Sequence, residues 1–260
     1  ITLTHVADTG LKLKNTSTTG NSGIGAVLTL QTGDTDIAAN NVLGQIDFQA
    51  PDEATGTDAI LVAAGIAAVS EGDFSSSSNA TKLTFKTGAS EAATSKFEIA
   101  SDGSLSTPTA GTSNTRFGVN AGNSIVSGGA NNAVFGDEAG TALTTGKKAT
   151  LIGVQAGDAL VDGDNNVAVG YQSLSGDTNG EKSVAVGTFA LLAQNFGTLT
   201  DSFNTAVGYN AGAAVTSSQN NTFIGANAGD AVNSGSLNTF VGSHAGSATD
   251  DGASNTAVGA

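Results

Sequence analysis

Hydrophobic and polar residues alternate in several short stretches of roughly the first 110 residues. Period-two alternation is typical of half-buried β-strands, because successive side chains of a strand point to opposite faces of the sheet. Segments rich in Gly, Asn, Asp, Ser and Thr, which favour turns, separate these stretches. We therefore predict an all-β region over 1–110, without an amphipathic helix. The alternating stretches lie at 11–14, 27–31, 45–49, 82–86 and 96–99.

From residue 114 the pattern changes to an internal repeat. Each unit contains a pentapeptide similar to Asn-Thr-Ala-Val-Gly, and we use its final Gly as the anchor of the unit. Successive anchors are separated by 18, 17, 17, 17, 21, 17, 17 and 17 residues. This regularity predicts a solenoid, in which each unit, or rung, buries its apolar face against its neighbours. The anchors are Gly118, Gly136, Gly153, Gly170, Gly187, Gly208, Gly225, Gly242 and Gly259.

The residue before each anchor is a large, β-favouring Phe, Ile or Val, and we expect these residues to form the core ladder of the stack. They are Phe117, Phe135, Ile152, Val169, Val186, Val207, Ile224, Val241 and Val258. The anchor glycines themselves predict a corner with positive φ, or an approach between rungs too close for a Cβ. Asn recurs at the start of the strand in seven units, where stacked carboxamides can hydrogen-bond along the ladder.

The predicted architecture is therefore all-β: a β-strand-rich shaft domain over 1–110, followed over 111–260 by a nine-rung β-helix or β-roll of stacked repeats. A coil with about one large apolar residue in each strand encloses little volume, so a single chain is short of core. We therefore predict an intertwined homotrimer, because copies of a thin element can cover one another's apolar ladders. The chain's main predicted partner is itself.

Two kinds of repeat carry a resemblance to known families. The pentapeptides at 166–170 and 183–187 resemble the head repeats of trimeric autotransporter adhesins, whereas the segments 204–212 and 221–229 are more similar to repeats of phage tail fibres. The likeness covers 114–260, and the region 43–100 is less specifically similar to fibre shafts. Adhesin heads usually have a repeat shorter than this one, which favours the fibre. In such fibres the repeats often precede a self-cleaving intramolecular chaperone.

Composition narrows the possible chemistry. Hydrophobic residues make up 38% of the chain, against roughly 45–50% in ordinary globular domains, so the interior must be narrow. The sequence has no Cys, which excludes disulfides and thiolate metal sites. Its net charge of −14 repels phosphate backbones, so we expect no nucleic-acid partner. The longest apolar run, 59–69, is too short for a membrane-spanning helix and predicts a buried β segment.

Metal and cofactor sites are not expected. His5 and His244 are the only imidazoles, and they lack metal-ligand spacing. The segment 162–166 begins like a calcium loop, but its twelfth position is Ser173 rather than an acidic residue. We predict no cofactor and no metal ligand.

Catalytic residues are not expected either, so we predict that the chain is not an enzyme. Neither His lies in a nucleophile-elbow pattern. The acidic pairs at 137–138 and 250–251 occupy variable, polar positions of the repeat, where solvated turn residues are the ordinary explanation.

The expected function is a structural segment of a trimeric viral tail fibre involved in host-cell attachment, located in the virion. A bacterial trimeric surface adhesin, exposed at the cell surface, is the alternative, and a fibre-borne polysaccharide depolymerase is a lesser one. A host-surface glycan or receptor is the candidate external partner. The chain ends in mid-rung, and we expect the native polypeptide to continue, since solenoids need capping units.

Exposed aromatic residues can stack on sugar rings, but in a thin trimer we expect them to pack between chains. The aromatics in question are Tyr171, Phe189, Phe196 and Tyr209.

One unit, between Gly187 and Gly208, is four residues longer than the 17-residue units. Solenoids extrude insertions as loops, so this loop should protrude. Its Phe196 and Leu199 are costly to expose. We predict that they pack against a neighbouring chain or rung, with ligand binding as the alternative.

Overall fold

The computed structural model describes residues 2–6, 10–14, 27–49, 61–88, 91–108, 110–248 and 250–259. These residues form eighteen β-strands and contain no helix. The predicted all-β class is thereby confirmed. The chain divides into two compact units, one formed by 1–95 with 99–103 and the other by 96–98 with 104–260.

The N-terminal unit is built from antiparallel strands. The first two form a hairpin, and β4 pairs with β3 on one side and with β5 on the other. The strands that precede the repeats are β1 (Thr2–Val6), β2 (Gly10–Lys14), β3 (Val42–Gln49), β4 (Val62–Ser70), β5 (Thr81–Thr87), β6 (Thr94–Ile99) and β7 (Leu105–Ser106); β6 has residues in both units and β7 belongs to the second.

Four of the five alternating stretches coincide with strands, namely β2, β3, β5 and β6. The fifth prediction is wrong, because 27–31 belongs to no strand. Val27 and Leu28 are exposed there. An alternating sequence forms a strand only where another strand lies beside it to pair with, and the alternation alone does not determine that. The apolar run predicted as a β segment contains most of β4; its residues 59 and 60 lie outside the described residues.

The C-terminal unit is a β-solenoid, as predicted. Nine three-residue strands stack into one parallel sheet. Each residue pairs with its equivalent one rung away, as Leu151 does with Ala168. A second, two-stranded parallel sheet joins β12 (Gly180–Glu181) and β14 (Thr200–Asp201). The nine strands are β8 (Thr115–Phe117), β9 (Ala133–Phe135), β10 (Thr150–Ile152), β11 (Val167–Val169), β13 (Val184–Val186), β15 (Thr205–Val207), β16 (Thr222–Ile224), β17 (Thr239–Val241) and β18 (Thr256–Val258).

The middle residue of each strand points into the coil. Seven of these nine residues are at most 1% exposed: Val134, Leu151, Ala168, Ala185, Ala206, Phe223 and Phe240. Arg116 takes the inner position of the first rung and Ala257 that of the last. Buried alanines three residues after the anchors, such as Ala139 and Ala156, complete one side of the interior.

The residues before the anchors, predicted as the core ladder, do not face the interior of their own coil. Phe117, Ile152, Val207, Ile224 and Val258 are exposed to between 37% and 78%. Phe135, Val169, Val186 and Val241, the other four, are half-buried. Because side chains alternate along a strand, burying the middle residue turns both of its neighbours outward. The ladder predicted as the core is an outward-facing ladder.

Candidate functional site

The corner after each strand depends on its anchor glycine. All nine anchors have φ between 122° and 141°, a region that residues with a side chain rarely occupy. A Cβ on Gly153 would lie 2.5 Å from the carbonyl oxygen of Gly170 in the next rung. The structure thus contains both features expected of these glycines, the positive φ and the close approach.

An asparagine ladder runs through the interior beside the strands. The Asn204 Oδ1 accepts a hydrogen bond of 2.9 Å from the backbone N–H of Asn221, and Asn221 does the same for Asn238. Where the next rung lacks Asn, the bond persists, since the Ser183 N–H donates to Asn166 at 2.9 Å. The axial ladder expected from the sequence is present, but its usual bond joins a side chain to backbone.

The side-chain amide nitrogens of these asparagines donate to backbone carbonyls in the loop that precedes the next strand. The Nδ2 of Asn166 donates to the carbonyl of Gly180 at 2.7 Å, and that of Asn238 to Gly252 at 2.7 Å. One carboxamide thereby satisfies a buried donor and a buried acceptor of the neighbouring rung. Unpaired, each of those backbone groups would cost about 1–3 kcal/mol.

Two adjacent rungs replace part of the apolar core by polar residues. Seven positions after the anchor, five rungs carry a buried aliphatic residue: Ile125, Leu143, Leu160, Val215 and Val232. The rungs anchored on Gly170 and Gly187 carry Asp177 and Gln194 there, both fully buried. These two rungs also hold Leu174 and Leu191, again fully buried, where the other rungs have a glycine. The leucines occur where the middle residues of the adjacent strands are alanines, namely Ala168, Ala185 and Ala206, whereas the glycines of other rungs lie against larger residues such as Leu151 and Phe223.

Asp177 is a buried carboxylate held by hydrogen-bond donors. Its Oδ1 accepts from the backbone N–H of Gly180 at 2.9 Å and of Phe196 at 3.1 Å. Its Oδ2 accepts from Gln194 Nε2 at 2.6 Å. Burial raises the pKa of Asp177, and these hydrogen bonds oppose the rise.

Gln194 extends this polar cluster to the neighbouring strands. Its Nε2 also donates to Ser183 Oγ at 2.8 Å, and its Oε1 accepts from Asn204 Nδ2 at 2.9 Å. Ser183 and Ser202 join their hydroxyls at 2.5 Å. Every polar atom of the Gln194 side chain therefore has a partner within the coil. A buried polar cluster was not predicted; the paired loss of an aliphatic residue and gain of a leucine was the signal for it.

The long rung carries its four extra residues between Gln194 and Asn204. Phe196 is only 6% exposed, whereas Leu199 is 60% exposed. Thr200–Asp201 forms β14, which pairs with β12 of the preceding rung. The loop predicted to protrude is thus anchored by Asp177 at its start and by β14 near its end. Of its two candidate residues, Phe196 packs within its own chain and Leu199 faces outward.

Aromatic side chains contact one another from rung to rung. The rings of Tyr171 and Phe189 lie 5.4 Å apart, and those of Phe189 and Tyr209 lie 6.1 Å apart, both edge to face. Tyr171 is 45% and Tyr209 53% exposed. Within one chain, then, these aromatics form a partly exposed line along the stack.

The candidate polar sites take part in hydrogen bonds between rungs. In the segment resembling a calcium loop, Asp162 Oδ1 accepts from the Thr144 hydroxyl at 2.6 Å, and hydrogen bonds from Thr144 and Thr145 lower the pKa of Asp162. In the acidic pair at 137–138, Glu138 accepts from Gln155 at 2.9 Å. His244 lies 3.1 Å from the Asn227 amide.

Two kinds of feature are absent from the described ranges. No group of three or more His, Cys, Asp or Glu side chains there is placed to hold a metal ion. The same ranges contain no helix with the length and hydropathy that crossing a membrane requires.

Comparison with known proteins adds no relative: no family model, no curated protein and no solved structure matches this chain.

Proposed function

We propose that the chain is a structural, non-catalytic segment of a homotrimeric viral tail fibre that takes part in host-cell attachment. The observation that carries the proposal is the one-to-one parallel register of nine successive strands. Strands about 4.8 Å apart make a stack of nine roughly 40 Å long. A segment of this kind separates two ends of a molecule by a fixed distance, which is what a fibre does.

The direction of the hydrogen bonds supports a mechanical role. Backbone hydrogen bonds join each strand to the next, as between Gly170 N–H and the Ile152 carbonyl at 2.8 Å. The asparagine ladder adds bonds in the same direction inside the coil. Because these bonds lie along the stack, bending or stretching the rod acts on many of them at once.

The resemblance of 204–212 and 221–229 to phage tail-fibre repeats supports a virion location and a host-surface glycan or receptor as the external partner. A bacterial trimeric surface adhesin is the second candidate. The Val-Ala-Val strands β11 and β13 favour it, because their pentapeptides are those that resemble adhesin heads.

Immunogold labelling with antibodies against 114–260 tests the proposal. We expect label on the fibres of virus particles and none on uninfected bacteria. Light scattering of the purified chain should give three times the chain mass. Label on uninfected cells would favour the adhesin, and release of reducing ends from host polysaccharide would contradict a non-catalytic segment.

A further inference from the structure

The nine-stranded sheet has an outer face that nothing in its own unit is seen to cover. We define the outer strand face as the first and third residues of β8, β9, β10, β11, β13, β15, β16, β17 and β18. The first residues are Thr, Ala or Val, and the third are Phe, Ile or Val. The face therefore has no charged side chain over nine rungs, although the chain has a net charge of −14.

Parallel sheets are almost always covered on both faces. Here the coil interior covers the inner face, where Leu151 and Phe223 are fully buried. On the outer face Phe117 is 47%, Ile152 40% and Ile224 41% exposed. A contiguous apolar band of this kind is the usual mark of an interaction surface.

The residues that flank the outer strand face are mixed on both sides. The residues directly after the anchors include Val119, exposed to 70%, and Val154, exposed to 44%, but also Asp137. On the opposite side, the line of residues two positions before each strand includes Lys148 and Lys182 as well as the exposed Phe203 and Leu237. Only the outer strand face is free of charge from rung to rung, so the partner surface is centred on the strands.

The repeat spacing identifies the partner. The face presents one equivalent residue pair about every 4.8 Å, and only a surface with the same repeat stays in register with it over nine rungs. A second copy of this chain has that repeat. Two copies are strongly acidic, yet they can approach here because the band itself is uncharged, which removes the like-charge repulsion at the point of contact.

The size of the face favours a closed ring over a pair. Strands of three residues are about 10 Å long and the stack is roughly 40 Å, so the sheet area is roughly 400 Å². A stable two-body interface buries about 800 Å² on each partner. In a closed threefold arrangement each chain contacts two neighbours, which adds the corner residues to the buried area.

We infer that the outer strand face is the surface through which three copies of this chain pack around a common axis. The inference rests on the proposed homotrimeric fibre and names the contact that would hold it together. The ladder predicted as the core, Phe117 to Val258, then lies between coils.

Paired substitutions in the full chain test this inference. Ile224→Asp places a charge on the outer strand face, and Leu237→Asp places one at a residue that is 59% exposed on the line that carries the lysines. We expect light scattering to show that Ile224→Asp lowers the mass from three chains to one, while Leu237→Asp leaves it at three. Far-UV circular dichroism checks that both variants keep their β-structure.

Cysteine cross-linking covers the case in which Ile224→Asp does not fold. The sequence has no Cys, so Ile224→Cys and Leu237→Cys each introduce a single thiol. Under oxidation, Ile224→Cys should give covalent dimers on non-reducing gels and Leu237→Cys should not. A trimer that cross-links only through Leu237→Cys would overturn the inference and leave the proposed fibre standing. A folded, monomeric wild-type chain would overturn both.

Discussion

At the scale of single residues, the anchor glycines decide where each rung turns. Gly153 has φ 135° and lies directly beneath the backbone of the next rung. Such a backbone conformation costs of order 1–3 kcal/mol for a residue with a side chain, and the overlap with Gly170 adds to that. The anchors are therefore required by geometry in each rung separately.

We expect Gly153→Ala to destabilise the C-terminal unit by about 3 kcal/mol or more, because both the strained φ and the clash act at once. The measurement is the midpoint of thermal unfolding. Gly197→Ala is the matched control: a Cβ on Gly197, in the long loop, would meet no atom within 4 Å, and the change should shift the midpoint little. Equal effects of the two substitutions would contradict this role of the anchor.

The glycine corners could be predicted, because a Gly that recurs in each repeat has few physical explanations. Which side of each strand faces the coil interior could not. Residue size suggested that Phe117 and its equivalents face inward. The interior instead takes the middle residue, which is Ala in the rungs of Ala168, Ala185 and Ala206. A three-residue strand gives too short a pattern to decide which of two alternating faces is buried.

At the scale of elements, the asparagine ladder and the polar cluster bind neighbouring rungs to each other. Asn221 is fully buried, and its Oδ1 is the acceptor for the N–H of Asn238. Its Nδ2 donates to the Ser218 hydroxyl at 3.1 Å. Removing the carboxamide leaves a buried backbone donor without a partner.

Asn221→Ala should therefore lower the free energy of unfolding by about 2–4 kcal/mol, the sum of an unpaired N–H and a small cavity. Denaturant titration measures it. Asn123→Ala changes an exposed Asn and should lie within about 0.5 kcal/mol of the wild type. A wild-type-like Asn221→Ala would mean that water reaches the ladder.

The recurring Asn could be predicted from the sequence, and so could the position of the insertion. The partners of Asp177 could not, because they come from two separate segments: the turn at Gly180, and the long rung, which supplies the Gln194 side chain and the Phe196 backbone. Only the stacked structure brings these segments together.

At the scale of the whole molecule, charge sets the response to pH. Burial is the largest of the causes that raise the pKa of Asp158, Asp177 and Glu181. A carboxyl whose pKa is higher in the folded than in the unfolded chain binds its proton earlier in the folded state. Its contribution to stability therefore rises as the pH falls from neutral toward the pKa that the carboxyl has in the unfolded chain.

We expect the midpoint of thermal unfolding to rise as the pH is lowered from about 7 to about 5, because the carboxyls with raised pKa become protonated. Protonation also reduces the repulsion within a chain of net charge −14, which raises the midpoint further. Asp177→Asn should make this dependence shallower. Scanning calorimetry across this range provides the measurement. A midpoint that falls steadily over the same interval would contradict this expectation, because carboxylates with a lowered pKa, such as Asp162, lose their stabilising contribution only below the ordinary carboxyl pKa.

The all-β class and the stacked solenoid could both be predicted from the sequence, because period and composition determine them. The number of chains is a different matter: it depends on what covers the outer strand face. A sequence repeat describes how one chain stacks on itself and which spacing a partner must match, but it does not set the number of copies.

The irregular rung has a consequence for how the chain finds its alignment. Because the rungs are nearly interchangeable, a stack in which β11 paired with β15 instead of β13 would lose few contacts. Among the described residues, the Asp177–Gln194 bond joins one pair of rungs, and five other rungs carry aliphatic side chains at that place. A misaligned stack would set Asp177 against Val215 and leave a bare carboxylate in an apolar interior. The polar cluster thus specifies which rung lies next to which, because any shift of the stack by a whole rung would break its hydrogen bonds.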